Sequence, residues 1–439
     1  MKKKVLFIIP FIPYPLDSGG NQAFFNMVDF LRHRINVSIL LFAVNEAHSQ
    51  RIEQLKQVWQ NVEFHIYYYT DRDRALTQDF AIIDPTEKIS PLWLYRWYNK
   101  AWASFGRKMK RLKMRAQYDD PETDPVRGVS LLYKSGKQAL PDGYLEFVDT
   151  VSHQGFDTIQ VEFYELLALG YILPKDVETI FVHHELRYIR LENELSLFKH
   201  VTLEDRIMLM INRDYERMAL AQYKTIITLT EVDRLLLQDL LGRDTTILTS
   251  PAVVNTPIET EFHEAKNHRF TFVGSGEHSP NLDAVVWFCN DIVPILKERK
   301  FNFQLDVIGK WDIAVINRIH KNHPNIHFVG FIDDLSQYSK RSIALVPIRI
   351  GSGMRMKILE SIFSKVPFIT TAKGVEGISL DHKKECFIAD TPQAFAEAMI
   401  ELSDNIPLQQ SLTENALKRL ESLYLPTEML QTRLSIYQA

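Results

Sequence analysis

"IALVPIRIGSGMRMKILESIFSKVPFITT", Ile343 to Thr371, holds an apolar run, a glycine loop, a helical repeat and a second apolar run in one short stretch. Met356, Leu359, Ile362 and Phe363 recur at helical spacing, so Arg355 to Ser364 reads as a helix entered through a Gly-rich turn. The flanking runs "IALVPI" and "PFITT" have the continuity of strands buried on both faces of a parallel sheet. A helix start with unpaired N–H groups behind glycines is an anion site, and Arg355 and Lys357 add two positive charges. Phosphate suits that loop. Glu360 lies too far along the helix to cap it, and a carboxylate there suits a pair of sugar hydroxyls; phosphate plus hydroxyls points to a nucleotide.

The same alternation runs almost from end to end. The first half offers "VLFII" at Val5, "INVSILLF" at Ile35, "VEFHIYYY" at Val62, "TIQVEFY" at Thr158, "TIFVHH" at Thr179 and "TIITLT" at Thr225. The second half starts again with "RFTFVG" at Arg269, "FQLDVIG" at Phe303, "IHFVGF" at Ile326, "IALVPI" at Ile343, "PFITT" at Pro367 and "ECFIAD" at Glu385. The expected fold is α/β: two Rossmann-like, doubly wound parallel-sheet domains facing across a cleft, with ligands at the carboxyl ends of the strands. The expected domains are 1–245, with a helical basic and aromatic insertion at about 90–145, and 266–420. The Thr- and Pro-rich stretch 246–265 reads as the linker, and 421–439 as a C-terminal helix that crosses back.

The 439 residues exceed one ordinary core. Hydrophobic residues at 46% and charged ones at 24% give a globular chain, and a net charge of −4 argues against a nucleic-acid partner. Cys289 and Cys386 fit buried thiols in a reducing compartment better than a disulfide. The start, "MKKKVLFIIPFIPYPLDSGG", has the basic head and apolar run of a signal peptide, but Pro10, Pro13 and Pro15 break it and no small-residue cleavage site follows. Val5 to Ile9 is therefore read as a strand. The expected location is cytoplasmic, peripheral at the inner face of the membrane.

Three loops share one place in the pattern, between a strand and a helix: Ser18-Gly19-Gly20, with Asn21 as N-cap; Gly274-Ser275-Gly276, with Asn281 and Asp283 near the helix start; and Gly351 to Gly353. The runs "VGFIDDLSQYSKRSIALVPIRIGSGMRMKILESIFSKVPFITTAKGVEGI" and "SGGNQAFFNMVDFLRHRINVSIL" resemble family 4 glycosyltransferases of GT-B fold, of the bacterial glycan biosynthesis type. The resemblance spans most of residues 1–50 and 265–415.

That resemblance implies a hexosyltransferase-type enzyme that moves a sugar from a nucleotide-diphosphate sugar to a glycan or lipid-linked acceptor, retaining the anomeric configuration and using no cofactor or metal. Glu360 matches the glutamate on the ribose hydroxyls, and Arg355 and Lys357 match the basic positions at the diphosphate. Gly351, Ser352, Gly353 and Met354 match the loop around the sugar phosphate; Gly19 and Gly20 match the turn facing it, and Gly274 and Ser275 open the donor-binding domain. His183 or His184 stands where the family has a histidine near the transferred sugar. Ser352 is a departure, because many members carry a second glutamate there. "GSGEHSPN" holds no Arg or Lys, which leaves Arg355 and Lys357 to neutralise the diphosphate. Asp333 and Asp334 are expected to cap the helix from Leu335.

Two other readings remain: a sugar-nucleotide epimerase of the same architecture, and a non-catalytic glycosyltransferase-like partner subunit. The stretch 93–115, "WLYRWYNKAWASFGRKMKRLKMR", has an aromatic first half, a basic second half and no acidic residue. It suits either an anionic membrane surface, which would favour a lipid-linked acceptor, or an amphipathic helix packed on the first domain.

Overall fold

The computed structural model describes residues 2–16, 19–77, 124–134, 140–253, 261–266, 268–332, 334–424 and 426–438. The segment 93–115, Ser18, Asp333 and residues 254–260 of the linker lie outside them.

The chain forms two wholly parallel sheets. The first comprises β1 (Lys4–Ile8), β2 (Asn36–Ala43), β3 (Glu63–Tyr68), β4 (Thr158–Glu162), β5 (Glu178–His183), β6 (Thr225–Thr228) and β7 (Thr246–Thr249), in the order β3-β2-β1-β4-β5-β6-β7. The second comprises β8 (Arg269–Val273), β9 (Gln304–Ile308), β10 (Ile326–Gly330), β11 (Ile343–Val346), β12 (Phe368–Thr370) and β13 (Phe387–Ile388), in the order β10-β9-β8-β11-β12-β13. Each order reverses at one point, beside β1 and β8, where open α/β sheets leave a crevice at the strands' carboxyl ends. Central strands are continuous apolar runs because both faces are covered: every residue of β4 and β11 is buried. The register sets Val5 beside Val37 on one side and Thr158 on the other.

Thr246–Thr249 pairs residue for residue with β6 from Thr225 to Thr228, so the linker does not begin at 246. The threonines there serve a short edge strand. The Asp142–Ser152 helix likewise begins inside the stretch read as an insertion, yet Tyr144, Val148 and Val151 pack into the core of the first sheet.

The helix expected at 355–364 is Met356–Phe363, with Arg355 at its N-cap position. Asp334 caps the Leu335–Ser339 helix by accepting the Gln337 amide at 2.9 Å. Asn21 is not an N-cap: Gly19 and Gly20 are already in the first turn of the Gly19–Leu31 helix, and the Asn21 side chain donates to the Pro15 carbonyl at 3.3 Å. The C-terminal Pro426–Gln438 helix reaches back to the first sheet, where Tyr437 donates to Gln160 Oε1 at 2.7 Å and packs edge-on to Phe7. Among the described residues, no helix is long and apolar enough to cross a membrane.

Candidate functional site

The glycine loop after β11 meets the first domain directly. Gly353 has φ +79, and a Cβ on it would run into the His184 carbonyl oxygen, so this crossing admits only glycine. Next to it, Ser352 Oγ accepts the Leu186 amide at 2.6 Å and donates to the Leu186 carbonyl at 3.3 Å. Gly351 donates its amide to Asn193 Oδ1 at 3.2 Å. Met354 is buried beside the loop and lines the cleft. Arg355 turns back on the loop: its Nη1 donates to the Gly353 carbonyl at 2.6 Å and also to that of Ser352. Its buried Nη2 has no hydrogen-bond partner among the described residues. Among the described residues no side chain caps the Met356–Phe363 helix, which leaves first-turn amides available to an anion.

One turn into that helix, Lys357 and Glu360 face the same cavity. Lys357 Nζ donates to Asn281 Oδ1 at 2.7 Å and lies 4.7 Å from the Phe272 ring centroid. Asn281 Nδ2 in turn donates to the Ser275 carbonyl at 2.9 Å, tying the loop after β8 to the helix. Gly274 permits this, because a Cβ there would meet the Asn281 side chain at 2.5 Å. Burial, with Arg355 close by, lowers the Lys357 ammonium to about 7 against the pull of Glu360. Burial raises the Glu360 carboxyl to about 7, with Lys357 opposing. Two groups of opposite sign thus titrate near neutrality within one helical turn, as functional clefts arrange.

The first domain supplies the facing wall. His184 lines the cleft, donates from Nε2 to Glu162 Oε2 at 2.9 Å, and stacks on Phe163 with centroids 3.9 Å apart. Phe163 holds φ +70, an uncommon value for a phenylalanine and one that positions its ring at the cleft. His183 does not share this place. It is 1% exposed and its Nε2 meets Glu216 Oε1 at 2.7 Å, because alternate residues of a strand point to opposite faces. Of the two histidines only His184 reaches the cavity. Gly20 lines a smaller, mostly apolar cavity of about 230 Å³ that shares Phe163, His184, Met354 and Met356 with the main one.

Sequence reasoning passed over three residues after β5. Arg187, Arg190 and Glu185 all line the main cavity, whose volume is about 720 Å³. Arg187 pairs with Glu165 at 3.1 Å and stacks over Tyr164, while its buried Nε has no partner among the described residues. Arg190 crosses the domains, contacting Glu185 at 3.1 Å and Glu194 at 2.9 Å on its own side and Ser279 Oγ at 2.9 Å on the other. The cavity wall therefore holds two guanidinium groups besides Arg355 and Lys357, each paired with a carboxylate. The signal was in the text "HHELRYIRLENE", where two arginines three apart share the buried face of the Arg187–Leu197 helix. Buried arginines at helical spacing need partners or a ligand. Among the described residues, no group of His, Cys, Asp or Glu side chains is placed to hold a metal ion.

Residues 267–405 match the family described as glycosyl transferases group 1. A Klebsiella pneumoniae protein, the "uncharacterized 44.6 kDa protein in cps region", is 23% identical over 185 residues, which span 40% of this chain and 48% of that one. Among solved structures, a point mutant of Staphylococcus aureus TarM, in complex with fondaparinux, α-GlcNAc-glycerol and UDP, aligns over 100% of both chains with TM-score 0.65 and 11% identity. Anabaena HepE, in complex with UDP and glucose, aligns over 100% of both with TM-score 0.62 and 10% identity. At such identities the likeness is one of fold. The matched segment holds β8 to β13 and both glycine loops of the second domain, so it is this domain that is similar to the group 1 glycosyltransferases, while the chain as a whole has the two-domain GT-B fold.

Proposed function

We propose that the chain transfers a hexosyl group from a UDP-sugar to a glycan or lipid-linked acceptor with retention of configuration. The observation that carries the reading is the convergence of Glu360, Lys357, the Gly351–Gly353 loop, an uncapped helix start and Arg187 on one cavity between the domains. Its volume, about 720 Å³, lies within the roughly 300–1,000 Å³ of small-molecule sites. UDP in the TarM and HepE complexes supports the choice of base.

In this reading Glu360 holds the ribose hydroxyls, and Gly274 and Ser275 border the nucleotide. Lys357, Arg355 Nη2 and the free helix amides face the diphosphate. The acceptor oxygen bonds to the anomeric carbon as the bond from that carbon to the β-phosphate oxygen breaks. UDP departs with the electron pair, and the acceptor proton passes to the departing phosphate oxygen. Charge grows on that oxygen in the transition state, so fixed cations and helix amides lower the barrier there. Neutralisation by side chains requires no metal. His184, held by Glu162, borders the transferred sugar, and the apolar cavity at Gly20 continues from that point toward the acceptor. Closure around the donor would exclude water that otherwise hydrolyses it.

The Klebsiella relative's "cps region" name supports a role in polysaccharide biosynthesis. The basic and aromatic composition of 93–115 favours a lipid-linked acceptor presented at an anionic membrane surface on the cytoplasmic side. The test is UDP release by the purified chain across a panel of UDP-hexoses, with and without extracted glycans and lipid-linked sugars, in the presence of a chelator. Acceptor-dependent release that survives chelation is expected. Absence of UDP binding, or turnover independent of any acceptor, would overturn the reading.

A further inference from the structure

Glu185 brings a carboxylate from the first domain against the glycine loop of the second. Its Oε1 lies 3.6 Å from where a Cβ on Gly351 would stand. The next residue, Leu186, is bound through both its amide and carbonyl to Ser352 Oγ, so the approach is built into the closed interface. Glu185 Oε2 is taken by Arg190 Nη1 at 3.1 Å, with His278 Nε2 at 3.9 Å. Oε1 makes no hydrogen bond to the protein among the described residues. Burial alone would raise this carboxyl, but Arg190, then His278 and Arg187, hold it well below the usual carboxylate range.

An ionised carboxylate accepts hydrogen bonds and cannot donate them. What meets Oε1 must therefore be a hydrogen-bond donor, and the donors that a nucleotide sugar carries are uncharged. The diphosphate is excluded by repulsion, and the ribose hydroxyls are assigned to Glu360 on the other domain. The uracil N–H lies beyond the ribose, at the far end of the nucleotide from the diphosphate loop, which leaves the hydroxyls of the transferred sugar as the donors within reach of Glu185. We propose that Glu185 binds those hydroxyls and so selects the donor sugar, an inference that rests on the nucleotide-sugar reading of the cleft. Arg190 acts through it as a positioning residue, fixing one oxygen so that the other faces the sugar.

The experiment separates the sugar from the nucleotide. Affinities for UDP, UDP-glucose and UDP-N-acetylglucosamine are measured by calorimetry for wild type, Glu185→Gln and Glu185→Asp, with melting temperature as the check on folding. For the UDP-sugar that wild type binds more tightly than UDP, Glu185→Gln should lose about tenfold of the gain or more, the worth of one hydrogen bond to a charged group. Its affinity for UDP itself should not fall, since no part of UDP is assigned to Glu185 and the substitution removes a negative charge beside the diphosphate loop. An unchanged sugar gain in a folded Glu185→Gln overturns the proposal while leaving the nucleotide site standing; wild type that binds no UDP overturns the underlying reading instead. Should Glu185→Gln unfold, Glu185→Asp decides. It keeps the charge for Arg190 and withdraws the carboxylate by one methylene, so the gain falls if Glu185 holds the sugar and stays at the wild-type level if it does not.

Discussion

Ser352 Oγ accepts the Leu186 amide of the opposite domain at 2.6 Å, inside an interface where both residues are buried. Removing the hydroxyl leaves a buried N–H without a partner, which costs about 1–3 kcal/mol. Ser352→Ala should lower the stability of the closed two-domain form by that amount, read from the denaturant midpoint. Equal midpoints for variant and wild type would show that the domains do not close in this way in solution.

Glu360 is tested by Glu360→Gln, which keeps shape and removes charge. Losing a hydrogen bond to a charged group should weaken UDP binding by about 1.5–3 kcal/mol. The direction with pH is fixed by the raised carboxyl, near 7. Above that value the wild-type group is a carboxylate and the gap between the proteins is full. As pH falls through about 7 it takes up a proton, and the gap closes. Calorimetry of UDP binding at pH 6 and 8 distinguishes the two limits; a gap independent of pH removes the ionised group from the ribose.

Lys357 gives the opposite sign. With its ammonium lowered to about 7, it is mostly uncharged at pH 8 in the unliganded cleft. A diphosphate beside it favours the charged form, so binding should draw a proton from solution. UDP titrated at pH 8 in buffers of different ionisation enthalpy should show proton uptake of several tenths or more, and Lys357→Met should abolish it. The same burial means that the charged lysine opposes folding as pH falls from its ordinary range toward about 7. Lys357→Met should therefore melt higher than wild type at pH 7 while binding UDP less tightly.

Most of the fold was legible because central strands covered on both faces leave unbroken apolar runs, and twelve of the thirteen strands stood in the text as short apolar runs. The thirteenth strand, Thr246–Thr249, was hidden by its edge position: half-exposed threonines read as linker. The second-domain half of the site was legible for a local reason, since Gly351, Arg355, Lys357 and Glu360 are neighbours along one loop and helix. The first-domain half depends on which face of a strand or helix meets the other domain. His183 and His184 are adjacent in sequence and opposite in space, and Glu185 meets Gly351 only through closure of the cleft. No spacing along the chain encodes that meeting.

Arg355 supplies the last prediction. Nη1 is committed to the Ser352 and Gly353 carbonyls, and the buried Nη2 has no partner among the described residues. A guanidinium held in place by its own loop needs little reorganisation when charge builds on the departing diphosphate, so its contact strengthens in the transition state more than in the bound donor. Arg355→Lys, which retains a charge but not the two-armed geometry, should lower kcat by more than it raises KM for the UDP-sugar. Arg355→Ala should lower kcat further, since both the charge and the loop's hydrogen bonds are lost. Steady-state kinetics on each variant checks the split. A rise in KM at unchanged kcat would make Arg355 a ground-state binder and transfer the stabilising role to Lys357 and the helix amides.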